Sequence, residues 1–315
     1  MRIATNVLVT GGAGYLGSVL VQHLLFAGYK VTVLDNFSHG VPSLCGMNYA
    51  RALTIVNGDV RVYENLQRAG IEEVDAVVAL AAVVGAPACD REPTSAITTN
   101  ERAIETIVER LAPDQRLIYP NTNSGYGIGG EALCTEESPL QPISLYGRSK
   151  VMAEAAVMKH PGATVFRFAT LFGMSPRMRL DLMVNDFVYR AVRDRCITLF
   201  EPHFRRNMIH VRDAVAAIAQ AISYSYMAGQ IYNAGNDDAN ITKLQLCEII
   251  KECLPVGSTF TWNISPIGED PDKRDYLVSN AKLRETGFTC RYSLQDGIRE
   301  LVQGYQQPFA SYRNA

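Results

Sequence analysis

The sequence lacks a surplus of either charge. Thirty basic residues face 32 acidic ones among 315, a net charge of −2. No global positive field is available to grip a phosphate backbone, which excludes non-specific nucleic-acid binding. It also lacks a long hydrophobic run. The longest nearly apolar stretch, Ala76–Ala88, has 13 residues, mostly Ala, Val and Gly, too few to cross a bilayer. Its seven cysteines (Cys45, Cys89, Cys134, Cys196, Cys247, Cys253, Cys290) are odd in number and never spaced C-x-x-C. That argues against a disulfide framework or zinc site and for a reducing compartment. The five histidines form no H-x-x-H or H-E-x-x-H pair, so no metal is expected. The first residues enter a strand-like run directly, without the basic-then-apolar plan of a secretion signal. The expectation is a cytoplasmic protein with no membrane association.

What is present suits a packed globular chain. A content of 47% hydrophobic and 20% charged residues rules out disorder, and the length suits one or two domains. Short apolar runs at Asn6–Thr10, Val31–Leu34, Leu53–Val56, Ala76–Leu80, Arg116–Tyr119 and Thr164–Phe168 read as strands. Helical patterns fit between most of them, at 61–70, 94–111 and 145–159, after a first helix over 14–28. Strands that are apolar throughout and separated by helices predict an α/β, Rossmann-type doubly wound parallel sheet. After about residue 170 the rhythm breaks. Helices are expected at 180–195, 211–226, 242–254 and 293–305. The expected division is a dinucleotide-binding domain over 1–170, with roughly 207–234 returning to it, and a smaller substrate lobe over 171–315.

Gly11-x-x-Gly14-x-x-Gly17 falls between the first strand and the first helix. The first glycine permits a tight turn and the second lets a pyrophosphate approach the backbone. The third lets helix and strand pack closely, while the helix N-terminus offers free N–H groups. Asp35 ends the next strand, 18 residues after Gly17. It can accept hydrogen bonds from both ribose hydroxyls of an adenosine. Asn36 and Phe37 supply no arginine for a 2′-phosphate, so NAD is expected over NADP.

Tyr146 and Lys150 stand four apart, on one face of a predicted helix, and form the only such pair in the chain. They follow the fifth strand and the loop that carries Thr122, Tyr126 and Gly127. Together with Asp35-Asn36, Asp59-Val60, Leu80-Ala81-Ala82, Asn100 and Arg206-x-x-Ile209-His210-Val211, these motifs occur in an order that resembles one family. It is the extended short-chain dehydrogenase/reductases that act on nucleotide sugars, and the resemblance covers nearly the whole chain. It implies Tyr146, Lys150 and Thr122 as catalytic residues. It implies a cofactor groove of Gly11, Gly14, Tyr15, Leu16, Gly17, Asp35, Asn36, Asp59, Val60, Leu80, Ala81, Ala82 and Asn100, completed by Tyr146 and Lys150. It also implies a homodimer paired through the helices at 94–111 and 145–159. The chemistry agrees with the roles. A free tyrosine has a pKa of about 10, and a neighbouring ammonium lowers it enough to make a base.

One departure narrows the reaction. Sugar 4,6-dehydratases of this family carry Asp-Glu directly after the catalytic Thr. Here those positions are Asn123 and Ser124, neither of which is a general acid. What remains is oxidation of a nucleotide-sugar hydroxyl, most readily at C4, by a 4-epimerase or 4-dehydrogenase. A dehydratase, a 4-keto reductase or a non-catalytic NAD-binding regulator is the alternative.

The substrate lobe holds eight arginines between Arg177 and Arg212. Arg177, Arg179 and Arg206 sit outside the predicted helix there and offer the forked donors a diphosphate needs. By resemblance Arg206 is the diphosphate arginine. The usual family arginine near Glu269 is missing, and Arg274 is the candidate to replace it. Asn123, Ser124, Thr170 and Asn185 complete the expected sugar-nucleotide site. Three stretches, 120–129, 175–187 and 269–280, look most like the family's GDP-manno-heptose 4-dehydrogenase branch. One prediction follows from Asp35: in a competition titration NAD binds more tightly than NADP, and Asp35→Ala erases the preference. Equal affinities for the unmutated protein would contradict the cofactor reading.

Overall fold

The computed structural model describes residues 5–128, 133–266 and 275–307. Seven strands form the central sheet: β1 (Asn6–Thr10), β2 (Lys30–Asp35), β3 (Leu53–Asn57), β4 (Ala76–Ala79), β5 (Arg116–Thr122), β6 (Ala163–Phe168) and β7 (Gln230–Ala234). Their order is β7-β6-β5-β4-β1-β2-β3, and every pair is parallel. This is the doubly wound Rossmann-type sheet that the apolar runs predict. Val7, Leu8, Val9, Val77 and Val78 are 0% exposed, because helices cover both faces and leave no polar alternation.

The main helices are α1 (Tyr15–Phe26), α2 (Tyr63–Arg68), α3 (Ala103–Arg110), α4 (Leu145–Val157), α5 (Met183–Arg193), α6 (Val211–Ser223), α7 (Lys243–Cys253) and α8 (Leu294–Tyr305). On one face of the sheet, Leu20 and Leu24 of α1 and Ile218 and Ile222 of α6 pack against Val7, Val9 and Val33. On the other, Leu66 of α2, Ile104 and Ile107 of α3 and Val157 of α4 pack against Leu8, Val77 and Leu117. A further core joins Val184 and Val188 of α5, Leu246 and Ile250 of α7 and Ile298 and Leu301 of α8. No helix among the described residues is long and apolar enough to cross a membrane.

Two features depart from the expected layout. The helix expected over 94–111 is three pieces: Pro93–Ile97, a widened π turn over Thr98–Arg102, and α3. The extra residue in the turn turns Asn100 inward, where it is 1% exposed and bonded to Val83 on both sides of its amide. Such turns occur where a helix supports a functional site. The second half also holds short strands with no expected counterpart. Thr170–Phe172, Arg205–His210 and Asn236–Thr242 make one small sheet, and Cys196–Leu199 pairs with Thr261–Ile264. Within the central sheet the strand order reverses between β1 and β4. The crevice above their C-terminal ends is where such sheets bind ligands.

Candidate active site

The glycine loop lies at that crevice. Gly11 has φ of +70°, a conformation side-chain-bearing residues rarely adopt. A Cβ there would lie 2.7 Å from the Ala81 backbone nitrogen. At Gly17 it would lie 2.4 Å from the Gly11 carbonyl oxygen, so α1 can approach β1 this closely only with glycine. Gly14 differs: among the described residues outside its own helix and chain neighbours, a Cβ there would meet only the Gly11 oxygen, at 3.2 Å. From there α1 starts with no side-chain cap and no acidic residue in its first turn. An open glycine beside uncapped helix N–H groups is a cradle for an anion, and the residues fit a dinucleotide pyrophosphate.

Asp35 at the end of β2 accepts the Ala13 N–H at 2.9 Å and the Phe37 N–H at 2.8 Å. It therefore ties the glycine loop to the turn after β2. Beyond β4, the Leu80 N–H donates to the Thr10 carbonyl (3.1 Å) and the Ala81 N–H to Thr10 Oγ1 (3.3 Å). Leu80, Ala81 and Ala82 thus lie half-buried beside Gly11, while Asn36 is exposed. Past β3, Asp59 pairs with Arg61, whose guanidinium holds the carboxyl below its usual range. Val60 is buried next to it. Asn100 stands behind the groove. Its amide braces Val83 and donates to Ser149 Oγ at 3.2 Å, next to Lys150.

Thr122 is the last residue of β5. Its Oγ1 donates to Ser124 Oγ (2.9 Å) and accepts the Ser124 N–H (3.1 Å). Asn123 is 1% exposed, and neither of its amide atoms has a partner among the described residues. Ser144 caps α4 by accepting the Gly147 N–H, which sets Tyr146 in the first turn, half-buried, and Lys150 one turn on. Lys150 is 5% exposed, with its Nζ 3.9 Å from the centroid of the Tyr119 ring on β5. Burial pushes its pKa down to about 7, and the charges of Glu154 and Cys89 oppose that fall. Tyr119, wholly inside, has its own pKa pushed well up by burial, with Tyr146 and Glu154 adding to the effect. The arrangement is a phenol and an ammonium on one helix face, beside the end of the strand that carries Thr122.

The model of the "NAD dependent epimerase/dehydratase family" matches residues 7–235, most of the chain. The chain belongs to this family. It is 27% identical over 318 aligned residues to a dTDP-glucose 4,6-dehydratase of Streptomyces niveus, covering 96% of this chain and 93% of that one. It is 28% identical to UDP-glucuronic acid decarboxylase 1 of Arabidopsis thaliana, covering 97% of this chain and 71% of the relative. Its fold matches a Bacillus cereus UDP-glucuronic acid 4-epimerase, solved with NAD, with a TM-score of 0.84 at 20% identity, over 96% of this chain and all of the other.

Beyond the matched cofactor elements, the second-half residues divide. Asn185 is 0% exposed and faces inward. It accepts the Gly173 N–H and donates to the Arg179 carbonyl and to the Tyr15 hydroxyl. Both its amide protons are used inside the protein, so it holds the 173–179 segment. The Tyr15 hydroxyl in turn donates to the Gly173 carbonyl at 2.7 Å. Arg179 pairs with Asp181 and adds its charge to the surroundings of Tyr146 and Tyr15. Arg206 is 3% exposed, near the Tyr276 ring, in a strand beside Thr170–Phe172. Thr170 is half-buried at the start of that short strand. Arg274 lies outside the described residues.

Sequence reasoning missed the polar layer beneath Lys150. Glu154 and Arg167 form an ion pair at 2.7 Å with side chains 7% and 5% exposed. Asn121 Nδ2 donates to Glu154 at 2.5 Å, and Arg167 donates to the Tyr126 hydroxyl at 3.0 Å. That hydroxyl donates on to Asn233 Oδ1 at 2.6 Å. The signal was available: Glu154 is one further turn along the face that carries Tyr146 and Lys150. Glu154→Gln leaves Arg167 buried without its counter-charge. It should cost about 3–5 kcal/mol in denaturant unfolding. A loss below about 1 kcal/mol, the scale of an exposed pair, would contradict this account of the layer.

Proposed function

We propose that the protein is an enzyme that uses NAD to oxidise a hydroxyl of a nucleotide-diphosphate sugar, at C4. The observation that carries the reading is the placing of Tyr146 and buried Lys150 on one face of α4, beside Thr122 at the end of β5. When bound, NAD supplies the acceptor for the hydride from the sugar carbon. The Tyr146 oxygen takes the hydroxyl proton. The Lys150 ammonium stabilises the phenolate and holds the nicotinamide ribose. Thr122 Oγ1 orients the reacting hydroxyl, with Ser124 fixing its rotamer through their 2.9 Å bond. The matched relatives carry dTDP-glucose and UDP-glucuronic acid in their names, which supports a nucleotide sugar as substrate class.

A dehydratase is the second reading, because a 4,6-dehydratase is among those relatives. Against it stand Asn123 and Ser124, which hold no acidic proton to expel a sugar hydroxyl as water. The outcome we favour is therefore return of the hydride, as in a 4-epimerase, or release of the ketone, as in a 4-dehydrogenase. GDP-manno-heptose is the first substrate to test, on the resemblance of the three stretches named above. A non-catalytic regulator has no use for the Thr122, Tyr146 and Lys150 set. We assign residues 1–170, with the return through α6 and β7, to the cofactor and residues 171–315 to the sugar nucleotide, in a cytoplasmic setting.

We also propose a homodimer through the helical segments at 94–111 and 145–159. Met152 and Ile97 are 57% and 38% exposed on this side of the chain, and Ala155 of α4 is exposed as well. Ala96, Ile104 and Ile107, by contrast, are buried in the chain's own core. Light scattering at micromolar concentration should give twice the chain mass, and a monomer there would refute the pairing.

The catalytic test is rapid mixing of the NAD-loaded protein with nucleotide sugars, read by the near-ultraviolet absorbance of reduced nicotinamide. Tyr146→Phe should keep NAD binding and slow the absorbance rise by at least about 100-fold. Lys150→Met should weaken NAD binding and move the pH–rate profile to higher pH, because the phenolate loses its cation. A Tyr146→Phe protein with the unmutated rate would overturn the assignment.

A further inference from the structure

Lys150 and Glu154 stand four apart on α4, on one face of the helix, and each is 5% exposed. Opposite charges buried one turn apart gain by closing into an ion pair. These two do not. The Lys150 Nζ lies 3.9 Å from the Tyr119 ring centroid, and among the described residues it makes no hydrogen bond or ion pair. The carboxylate of Glu154 is engaged elsewhere. Arg167 donates to Oε1 from Nη2 at 2.7 Å and to Oε2 from Nε at 3.1 Å. Asn121 Nδ2 donates to Oε2 at 2.5 Å.

The position of Asn121 suits that contact. It is two residues from Tyr119, so the two share one face of β5, the face on which α4 packs. Tyr119 meets Lys150 and Asn121 meets Glu154, so each charge of the helix has its own residue on the strand. The other end of the Asn121 amide is spent as well. Its Oδ1 accepts the Thr122 N–H at 2.8 Å, which leaves Nδ2 as the donor toward the carboxylate. Arg167 does not replace it, because its Nη1 is shared between the Tyr126 hydroxyl and the Glu136 carbonyl. Without Asn121, Glu154 Oε2 would keep only the 3.1 Å bond from Arg167 Nε.

We infer that Asn121 is a positioning residue: by occupying Glu154 it keeps that carboxylate from closing on Lys150, and so keeps the ammonium available to a ligand. Glu154 then supports the charge on Lys150 across one helical turn without capturing it. With the Asn121 amide removed, Oε2 gains an open lone pair, and Lys150 is the cation one turn away. An ion pair between them would hold the ammonium against α4 and away from the nicotinamide ribose. The inference rests on the NAD and Lys150 reading above, and it adds a residue that acts through Glu154.

Calorimetric titrations of the full chain with NAD and with AMP test it, in a double-mutant cycle of Asn121 and Lys150. AMP lacks the nicotinamide ribose that Lys150 would hold. Asn121→Leu keeps the side-chain volume and removes the amide. It should weaken NAD by about 10- to 100-fold, the usual worth of a charged hydrogen-bond donor, and leave AMP essentially unchanged. In the Lys150→Met chain the same change should leave NAD affinity where it was, since no ammonium remains to be captured. Asn121→Ala repeats the cycle should the leucine variant fail to fold. Unchanged NAD affinity for Asn121→Leu in the chain that keeps Lys150 would overturn the inference. So would an equal loss in the Lys150→Met chain, or an equal loss for AMP, because either means a general loosening of the fold. An unmutated chain that bound no NAD, or a Lys150→Met chain that bound it as tightly as the unmutated one, would sink the underlying reading first, and both failures are visible without any change at Asn121.

Discussion

A lysine almost wholly inside the protein sets the terms for everything around it. Burial works against the charge on Lys150, and the neighbouring elements answer that cost. The Tyr119 ring of β5 offers its face to the ammonium. Glu154, one turn further along α4, supplies the opposing charge. Glu154 is itself buried and is held by Arg167 of β6 and Asn121 of β5. Arg167 then needs the Tyr126 hydroxyl and the Glu136 carbonyl. The chain of satisfied groups runs through α4, β5, β6 and the loop after β5. Sliding α4 along the sheet would break several of these bonds at once, so the position of Tyr146 is fixed from beneath by buried groups.

The opposite wall of the groove follows a steric rule rather than an electrostatic one. Gly17 lets α1 approach the glycine loop, and Gly11 lets the glycine loop approach the segment after β4, to distances no Cβ would allow. Asp35 then joins the glycine loop to the turn after β2. The second half of the chain is fastened to this wall through Tyr15, Ser175 and Asn185. A cofactor held there would lie between two parts of the chain already tied together.

Much of this was legible from the residues alone. Six strands of the parallel sheet are announced by runs such as Asn6–Thr10 and Ala76–Ala79, whose lack of alternation means two covered faces, whereas the seventh, β7, was expected only as part of a returning stretch. The glycine spacing, Asp35 and the Tyr146–Lys150 pair are local patterns, and they stand on the elements that such patterns require. What stayed hidden depends on distant partners. The strands at Thr170–Phe172 and Arg205–His210 are short and owe their pairing to each other. The π turn at Thr98–Arg102 exists because Asn100 reaches Val83, a contact no periodicity encodes. Arg177, Arg179 and Arg206 look alike as sequence. Only the fold sets one in the segment that Ser175 ties to Tyr15, one on Asp181 and one near Tyr276.

The central claim, oxidation at C4 without loss of water, meets its sharpest test in a deuterium label. The protein, loaded with NAD, is given a nucleotide sugar deuterated at C4, and the label is located by NMR. The account predicts deuterium on the reduced nicotinamide, or returned to C4 in a sugar of inverted configuration. Deuterium found at C6 would mean water had been expelled after all. Label left in place on an unchanged sugar, across a panel that includes GDP-manno-heptose, would mean that the site performs no oxidation of these substrates.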